Sequence, residues 1–269
     1  MSLPLPTTQW GSPASPKRAL LIHGLTSTSL SWYRVASALV VQGYFVMAPD
    51  LPGHGTAPRG GDYKLDAITK LLRPYVESTS GPVSLIIGHS LGAVIALLLA
   101  VSLPQLPPLS VVLVEPRLRP PNQTPAARQT CEEMESIISM VTCDIRNVSH
   151  ISIGQVMENN PLWTREDATW KILGLKLCDP NDVNALFRAN FPWDFEDLLD
   201  ELPSHVQATI LTADPENKPA ITVETLKRYP RVFARAVQGT THDIHREKPE
   251  AIIEAARNHV DVLHQAVLQ

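Results

Sequence analysis

Short apolar runs rich in β-branched residues alternate along the chain with longer segments whose apolar positions recur at helical spacing. The runs predict strands at Arg18–Ile22, Tyr44–Asp50, 83–87, Ser110–Val114, Gln207–Ala213 and Val232–Val237, with room for a short strand near Thr7–Trp10. The intervening segments predict helices at Trp32–Val40, Leu65–Glu77, 91–100, Val223–Arg228 and Pro249–Val267. Strands that alternate with helices are typical of a mostly parallel sheet with helices on both faces. The sequence therefore predicts an α/β fold.

The alternation stops between about residues 117 and 204. This stretch contains several prolines and helix-like segments at 126–140 and 165–175, and it stands between two predicted sheet strands. We expect a helical cap insertion at 117–204, and a core domain built from 1–116 and 205–269. The large apolar residues of the cap segment are Met134, Met140, Trp163, Trp170, Phe187, Phe191 and Trp193. Most should pack the cap on the sheet, while one or two line an apolar substrate pocket.

Composition excludes several classes of protein. A chain of 269 residues with 44% hydrophobic residues is long enough for a sizeable core, and its net charge of −4 gives no basic patch for nucleic acid. The three cysteines, an odd number without metal-type spacing, predict free thiols in a reducing compartment. The N-terminus does not resemble a signal peptide, and no apolar run approaches the roughly 20 residues of a membrane span. We expect a soluble cytoplasmic protein.

The pentapeptide Gly88-x-Ser90-x-Gly92 lies between a buried strand and a buried helix. Where a strand turns directly into a helix, the turn is so sharp that ordinary side chains on its two sides would clash. The glycines remove those side chains and leave the Ser90 hydroxyl exposed at the tip. Because the following helix begins at once, the N–H of Leu91 has no partner within the helix and favours negative charge. The pattern predicts a serine nucleophile beside an anion site.

A serine hydroxyl needs a base, and the base needs an orienting acid. His242 follows the last predicted strand and precedes the final helix, so it is the candidate base. Two carboxylates compete for the acid: Asp214 and Glu115 each follow a strand and precede a proline. We favour Asp214, because it is nearer to His242 in sequence and follows the strand before it. Glu115 is the alternative acid, or otherwise a buried support beneath the site.

Three further histidines and one backbone donor complete the candidate site. Leu25, after His23-Gly24, should supply a second oxyanion N–H that converges with that of Leu91. We expect the side chains of His23 and His54 to hold their loops. His242 and His245 could share a zinc ion, but no further ligand stands at a suitable spacing. The sequence implies no metal and no organic cofactor.

These motifs together resemble the α/β-hydrolase fold superfamily. The resemblance rests on His23-Gly24, Asp50-x-x-Gly53-x-Gly55, Gly88-His89-Ser90-Leu91-Gly92, Asp214 and Gly239-x-x-His242, and it covers nearly the whole chain except the insertion. It implies Ser90 as nucleophile, His242 as base, Asp214 as the usual acid, and Leu25 and Leu91 as oxyanion donors. Some members, including macrocyclic lactonases, carry the acid at the position of Glu115.

The sequence therefore predicts a serine hydrolase that cleaves a carboxylic ester or lactone of a small hydrophobic substrate. Two alternatives remain open. One is a carbon–carbon bond hydrolase on the same triad, and the other is a ligand receptor or binding protein that hydrolyses its ligand slowly. Many turnovers would indicate an enzyme, whereas roughly one would indicate a receptor. The oligomeric state, monomer or homodimer, is left open.

Overall fold

The computed structural model describes residues 5–77, 81–103, 109–118 and 130–257. Its strands are β1 (Thr7–Trp10), β2 (Lys17–Ile22), β3 (Tyr44–Pro49), β4 (Leu85–His89), β5 (Leu109–Val114), β6 (Val206–Thr212) and β7 (Val232–Ala236). Its helices are α1 (Tyr33–Val41), α2 (Leu65–Val76), α3 (Leu91–Ser102), α4 (Cys131–Asn147), α5 (Ile153–Asn159), α6 (Arg165–Lys176), α7 (Pro180–Ala189), α8 (Val223–Leu226), α9 (Ile244–Glu247) and α10 (249–257).

The strands form one sheet in the order β1-β3-β2-β4-β5-β6-β7. All neighbouring strands are parallel except β1, which pairs antiparallel with β3. Strand β4 lies at the centre of this order. The chain builds one half of the sheet on the β2 side of β4, and then reverses direction and builds the other half on the β5 side. In such sheets the residues that bind ligands collect at the carboxyl ends of the strands, near this reversal. The predicted α/β class, with a mostly parallel sheet, is confirmed.

Alternate residues of the central strands enter two separate hydrophobic layers. Leu20 and Ile86 pack into the layer that contains α2 and α3, whereas Leu21 and Ile87 pack into the layer of α1 and α10. Successive side chains of a strand point to opposite faces, so both faces of the sheet must be covered. This explains why the strands are almost continuously apolar. Helix α3 is buried nearly all round because it packs against the sheet, against α2 and against the helical turn at Glu196–Leu199.

Helices α4 to α7 lie between β5 and β6 in the chain, over the stretch predicted to be a cap. The predicted helix at 126–140 is Cys131–Asn147 in the structure, and residues 126–129 lie outside the described residues. Thr130 and Glu133 form a capping box that fixes where it begins. The predicted division into core and cap stays a prediction.

Several element boundaries differ from the sequence prediction. Strand β5 begins one residue before the predicted Ser110, at Leu109, and Glu115 follows its end with φ 49°. Helix α8 is one turn, ending at Leu226, and a short helix, α9, was not predicted. The final helix runs from 249 to 257, and its predicted continuation lies outside the described residues. Within the described ranges, every helix is too short or too polar to cross a bilayer.

Candidate active site

Ser90 stands alone between β4 and α3, in the backbone conformation of a strained turn. Its φ is 52° and its ψ is −113°, a region that costs a non-glycine residue about 1–3 kcal/mol. The flanking glycines make the turn possible. A Cβ on Gly88 would lie 2.2 Å from the carbonyl oxygen of Gly92, and one on Gly92 would lie 2.1 Å from that of Ile22. Steric contacts thus explain why glycines stand two residues before and two residues after Ser90. The predicted strand–turn–helix arrangement is present.

Two backbone N–H groups flank this serine. Leu91 N opens helix α3, and Leu25 follows β2 in the adjacent loop; both residues line the same pocket as Ser90. Over the described part of the chain, neither N–H has an acceptor. The next residue, Thr26, has φ 54°, so the loop holds a second strained position beside Leu25. Unpaired N–H groups such as these can donate hydrogen bonds to an oxygen on which negative charge develops.

The side chain of His242 contacts Glu115. The distance from His242 Nδ1 to Glu115 Oε2 is 3.2 Å, and the glutamate is 1% exposed. Its carboxylate also accepts the N–H of Ala213, through Oε1 at 2.6 Å, and that of Ala220, through Oε2 at 3.0 Å. Three donors thus hold one buried carboxylate. Because Nδ1 faces this acceptor, the proton of a neutral His242 belongs on Nδ1 and Nε2 is left basic.

The Asp214 carboxylate makes other contacts. It accepts the N–H of Gly239 through Oδ2 and that of Glu216 through Oδ1. These backbone donors, that of Gly239 above all, lower the pKa of Asp214. The carboxylate therefore ties the loop after β6 to the loop after β7.

The sequence preference for Asp214 as the partner of His242 differs from the geometry, in which Glu115 is that partner. The reason is the strand order. Strand β5 lies directly beside β4, so Glu115 is one strand from Ser90, whereas Asp214 follows β6 and is two strands away. Asp214 is nearer than Glu115 to His242 along the chain, but this proximity in sequence did not predict which carboxylate contacts the histidine.

His23 and His54 lie in the loops beneath the site. His23 Nε2 accepts the N–H of Leu51 at 3.0 Å, and its Nδ1 lies 2.8 Å from the carbonyl oxygen of Gly24. The ring thereby joins the loop that carries Leu25 to the loop after β3. Burial lowers the pKa of His54 to about 3, which keeps that ring neutral.

A second buried group of side chains lies behind His242. His89 Nε2 bonds to the carbonyl oxygen of His242 at 2.9 Å, and burial lowers the pKa of His89 to about 3. The His89 and His245 rings lie 4.2 Å apart. Burial would raise the pKa of Asp243, but the guanidinium of Arg246, 3.4 Å away, outweighs it and holds that pKa low. These contacts support the loop that carries His242.

Among the described residues, one cluster has the composition of a metal site: His89, Asp243 and His245, whose ligand atoms lie within 4.8 Å of one another. His242, which the sequence paired with His245, is not in it. Asp243 already faces the Arg246 guanidinium, and His89 Nε2 is engaged with a backbone carbonyl. A divalent cation there would have to displace Arg246 from Asp243. We therefore assign the cluster a supporting role.

The candidate nucleophile, base and oxyanion residues line one cavity of about 250 Å³. Its walls include Ser90, His242, Leu25, Leu91, Thr26, His89, Asp243, Arg117, Ile137, Met140, Val141, Asp144, Lys171, Leu186, Phe187 and Trp193. Of the predicted large apolar residues, Met140, Phe187 and Trp193 reach this wall, and Phe187 and Trp193 pack at 5.4 Å between ring centroids. A larger groove of about 440 Å³ beside β7 contains none of the catalytic candidates.

Sequence reasoning missed three charged residues here: Lys171, Arg246 and Asp243. Lys171 reaches the cavity from α6, and the Arg246 side chain is almost fully buried, with its guanidinium 4.8 Å from the Trp163 ring centroid. Nothing in the local pattern separates them from solvated surface charges. Their burial depends on helices far away in the chain.

The fold is that of the α/β-hydrolase class, and comparison with known proteins agrees. The alpha/beta hydrolase family matches residues 19–255, and the chain belongs to this family.

Among curated proteins, the chain is similar to the lipase LipV of Mycobacterium tuberculosis, with 35% identity over 105 residues, which is 39% of each chain. It is also similar to the 3-hydroxybutyrate-oligomer hydrolase of Cupriavidus necator, with 34% identity over 122 residues, 42% of this chain and 39% of that protein. The matched segment thus spans about two fifths of these curated relatives.

Solved structures share the fold over nearly the whole length. The bromoperoxidase of Bacillus anthracis superposes with a TM-score of 0.76 at 17% identity, over 95% of this chain and 94% of that one. The thioesterase domain of the curacin biosynthetic pathway does so with a TM-score of 0.69 at 22% identity, over 94% of both chains. At these identities the likeness concerns the fold alone.

Proposed function

We propose that the chain is a serine hydrolase that cleaves a carboxylic ester or lactone. The observation that carries the proposal is the contact between His242 Nδ1 and the buried Glu115 carboxylate, in the cavity that Ser90 also lines. This contact leaves Nε2 of His242 as the basic nitrogen. A base oriented by an acid beside a strained serine is the arrangement that activates a hydroxyl.

In the proposed reaction, Ser90 Oγ attacks the substrate carbonyl carbon while His242 Nε2 takes its proton. The carbonyl oxygen becomes an oxyanion, and the N–H groups of Leu25 and Leu91 donate to it. Collapse of this intermediate breaks the bond to the alcohol, which receives the proton from His242. Water then attacks the acyl-Ser90 ester by the same route and releases the acid. Glu115 stabilises the imidazolium that forms twice in each cycle.

The inserted helices contribute an apolar wall of Met140, Phe187 and Trp193. Such a wall favours a small hydrophobic substrate portion, whether open-chain or cyclic. The relatives named above as a lipase and an oligomer hydrolase support ester chemistry in this family. We also propose a cytoplasmic location, because the structure leaves Cys131, Cys143 and Cys178 as free thiols, which a reducing compartment would maintain.

The test is Ser90→Ala, assayed beside the wild type on 4-nitrophenyl acetate and butyrate. Loss of the nucleophile should lower kcat by several orders of magnitude while the fold is retained. Ser102→Ala, an exposed serine at the other end of α3, is the matched control and should keep wild-type activity. Normal turnover by Ser90→Ala on every ester that the wild type cleaves would overturn the proposal.

A further inference from the structure

Lys171 carries a positive charge into the cavity beside the candidate oxyanion loop. It lies on α6 and lines the same cavity as Ser90 and His242. Its Nζ lies 3.2 Å from the hydroxyl oxygen of Thr26, the residue that follows Leu25. A lysine from the inserted helices thus reaches the edge of the reaction centre.

This ammonium is incompletely paired. A lysine Nζ has three N–H donors. Across the described residues, the Thr26 hydroxyl is its hydrogen-bond partner, and no carboxylate oxygen lies within the 4.0 Å of an ion pair. Burial lowers the pKa of Lys171, whereas Asp243 acts in the opposite direction. Placing a charge in such a position is unfavourable unless something compensates for it.

The nearby charges leave room for an anion. Asp243, which lines the cavity, is already engaged by Arg246, with 3.4 Å between Oδ1 and Nε. Asp144 also lines the cavity, but it stands on an exposed face of α4. Arg246, behind the wall, is the second cation near Lys171 and, like burial, lowers the pKa of the lysine.

We propose that Lys171 forms a subsite for a carboxylate carried by the substrate, so that the preferred ester is one with a negatively charged group. The proposal rests on the proposed function of Ser90 and His242. A substrate carboxylate at Nζ would supply the missing acceptor, and a charge-assisted hydrogen bond there would be stronger than the bond to the Thr26 hydroxyl. Apolar portions of the same molecule would lie against Phe187 and Trp193.

The experiment compares esters that differ in one charge. Ethyl hydrogen succinate and ethyl hydrogen adipate carry the carboxylate on the acyl side, and butanoyloxyacetate carries it on the alcohol side. Each is paired with the carboxamide of the same shape, and hydrolysis is followed by alkali uptake at constant pH. The wild type should show a higher kcat/KM for the carboxylate of at least one pair.

Lys171→Met should reduce that preference by about 10- to 100-fold, which is the value of one charge-assisted hydrogen bond. Activity on the carboxamide should fall far less than activity on the carboxylate. Lys171→Arg should retain part of the preference. The control is Lys176→Met, at an exposed lysine on the same helix, and it should leave kcat/KM for both substrates unchanged. Thermal unfolding of each variant shows that the fold is intact.

Equal losses on the carboxylate and the carboxamide would overturn the proposal, since they would place Lys171 at the oxyanion itself or in a purely structural role. A wild type without preference in any pair would also overturn it. Binding provides a readout that does not need turnover: Ser90→Ala titrated calorimetrically with the half-esters should bind them more tightly than the carboxamides, and Lys171→Met should abolish the difference. If no ester is cleaved but this difference is present, the proposed function fails and the subsite stands.

Discussion

Replacing Glu115 by glutamine keeps the size of the side chain and removes its charge. The carboxylate now faces three donors: His242 Nδ1 and the N–H of Ala220 at Oε2, and the N–H of Ala213 at Oε1. A carboxamide has one acceptor oxygen and one NH₂ group, so in either orientation its NH₂ meets a backbone N–H. An unsatisfied buried donor costs about 1–3 kcal/mol, and we expect a loss of stability of that size.

The effect on catalysis should be larger. With the NH₂ group in the position of Oε2, Nδ1 of His242 must act as the acceptor, which moves its proton to Nε2 and removes the base of the proposed mechanism. With the NH₂ group in the position of Oε1, the imidazolium loses its counter-charge. In the Ser-His-Asp triad of serine proteases, a wrong histidine tautomer lowers kcat by about 10⁴, which is equivalent to about 5.5 kcal/mol of transition-state stabilisation. We predict a loss of this order for Glu115→Gln.

The assay is kcat and kcat/KM on 4-nitrophenyl butyrate, with Asp214→Asn measured in parallel. Asp214 orders two loops through Gly239 and Glu216, so Asp214→Asn should lower thermal stability but leave kcat within about tenfold of the wild type. Glu224→Gln, on the exposed face of α8, is the control. If a folded Glu115→Gln retains wild-type kcat, the assignment of the acid is wrong. A collapse confined to Asp214→Asn would return that role to Asp214.

Three further predictions concern the fold around the site. Gly88→Ala should destabilise the protein by about 3 kcal/mol in urea unfolding, because its Cβ would lie 2.2 Å from the Gly92 carbonyl oxygen, whereas Gly154→Ala in α5 should be neutral or slightly stabilising. Arg246→Met leaves the Asp243 carboxylate without its counter-charge and should cost about 3–5 kcal/mol; a loss no larger than that of the exposed Arg188→Met would contradict this. Burial lowers the pKa of both His54 and His89 to about 3, so the unfolded state binds more protons between that value and pH 6.5. Stability should therefore fall as the pH drops below about 6.5, approaching 1.4 kcal/mol per pH unit for each histidine, and equal urea midpoints at pH 7.5 and 5.5 would refute it.

The sheet and the serine could be predicted because their signals are local. Apolar β-branched runs mark the buried strands, and Gly88 is required by the Gly92 carbonyl oxygen in the same turn, although Gly92 is itself required by Ile22 on the neighbouring strand β2. The start of α4 also has a local signal, the capping box of Thr130 and Glu133, whereas the predicted helix began at residue 126, outside the described residues.

The contact between Glu115 and His242 and the position of Lys171 could not be predicted in the same way. Glu115 and Asp214 have the same local context, a strand before and a proline after, and the order of strands in the sheet separates them. That order depends on contacts between distant residues. Lys171 is 145 residues from Thr26 in the chain, and its sequence neighbours Trp170 and Ile172 give no sign of that contact. What distinguishes these residues is tertiary structure.

Helix α6 connects the proposed carboxylate subsite to the loops of the candidate active site. Arg246, four residues after His242, donates from Nη1 to the carbonyl oxygen of Asp167 on α6 at 2.7 Å. Arg34 contacts both the Arg246 carbonyl oxygen and the Asp167 carboxylate. One turn further along α6, Lys171 contacts Thr26 beside the oxyanion loop. A shift of α6 would therefore move the proposed carboxylate subsite, the support of His242 and the loop of Leu25 together, so a substitution in its interior should change kcat as well as KM.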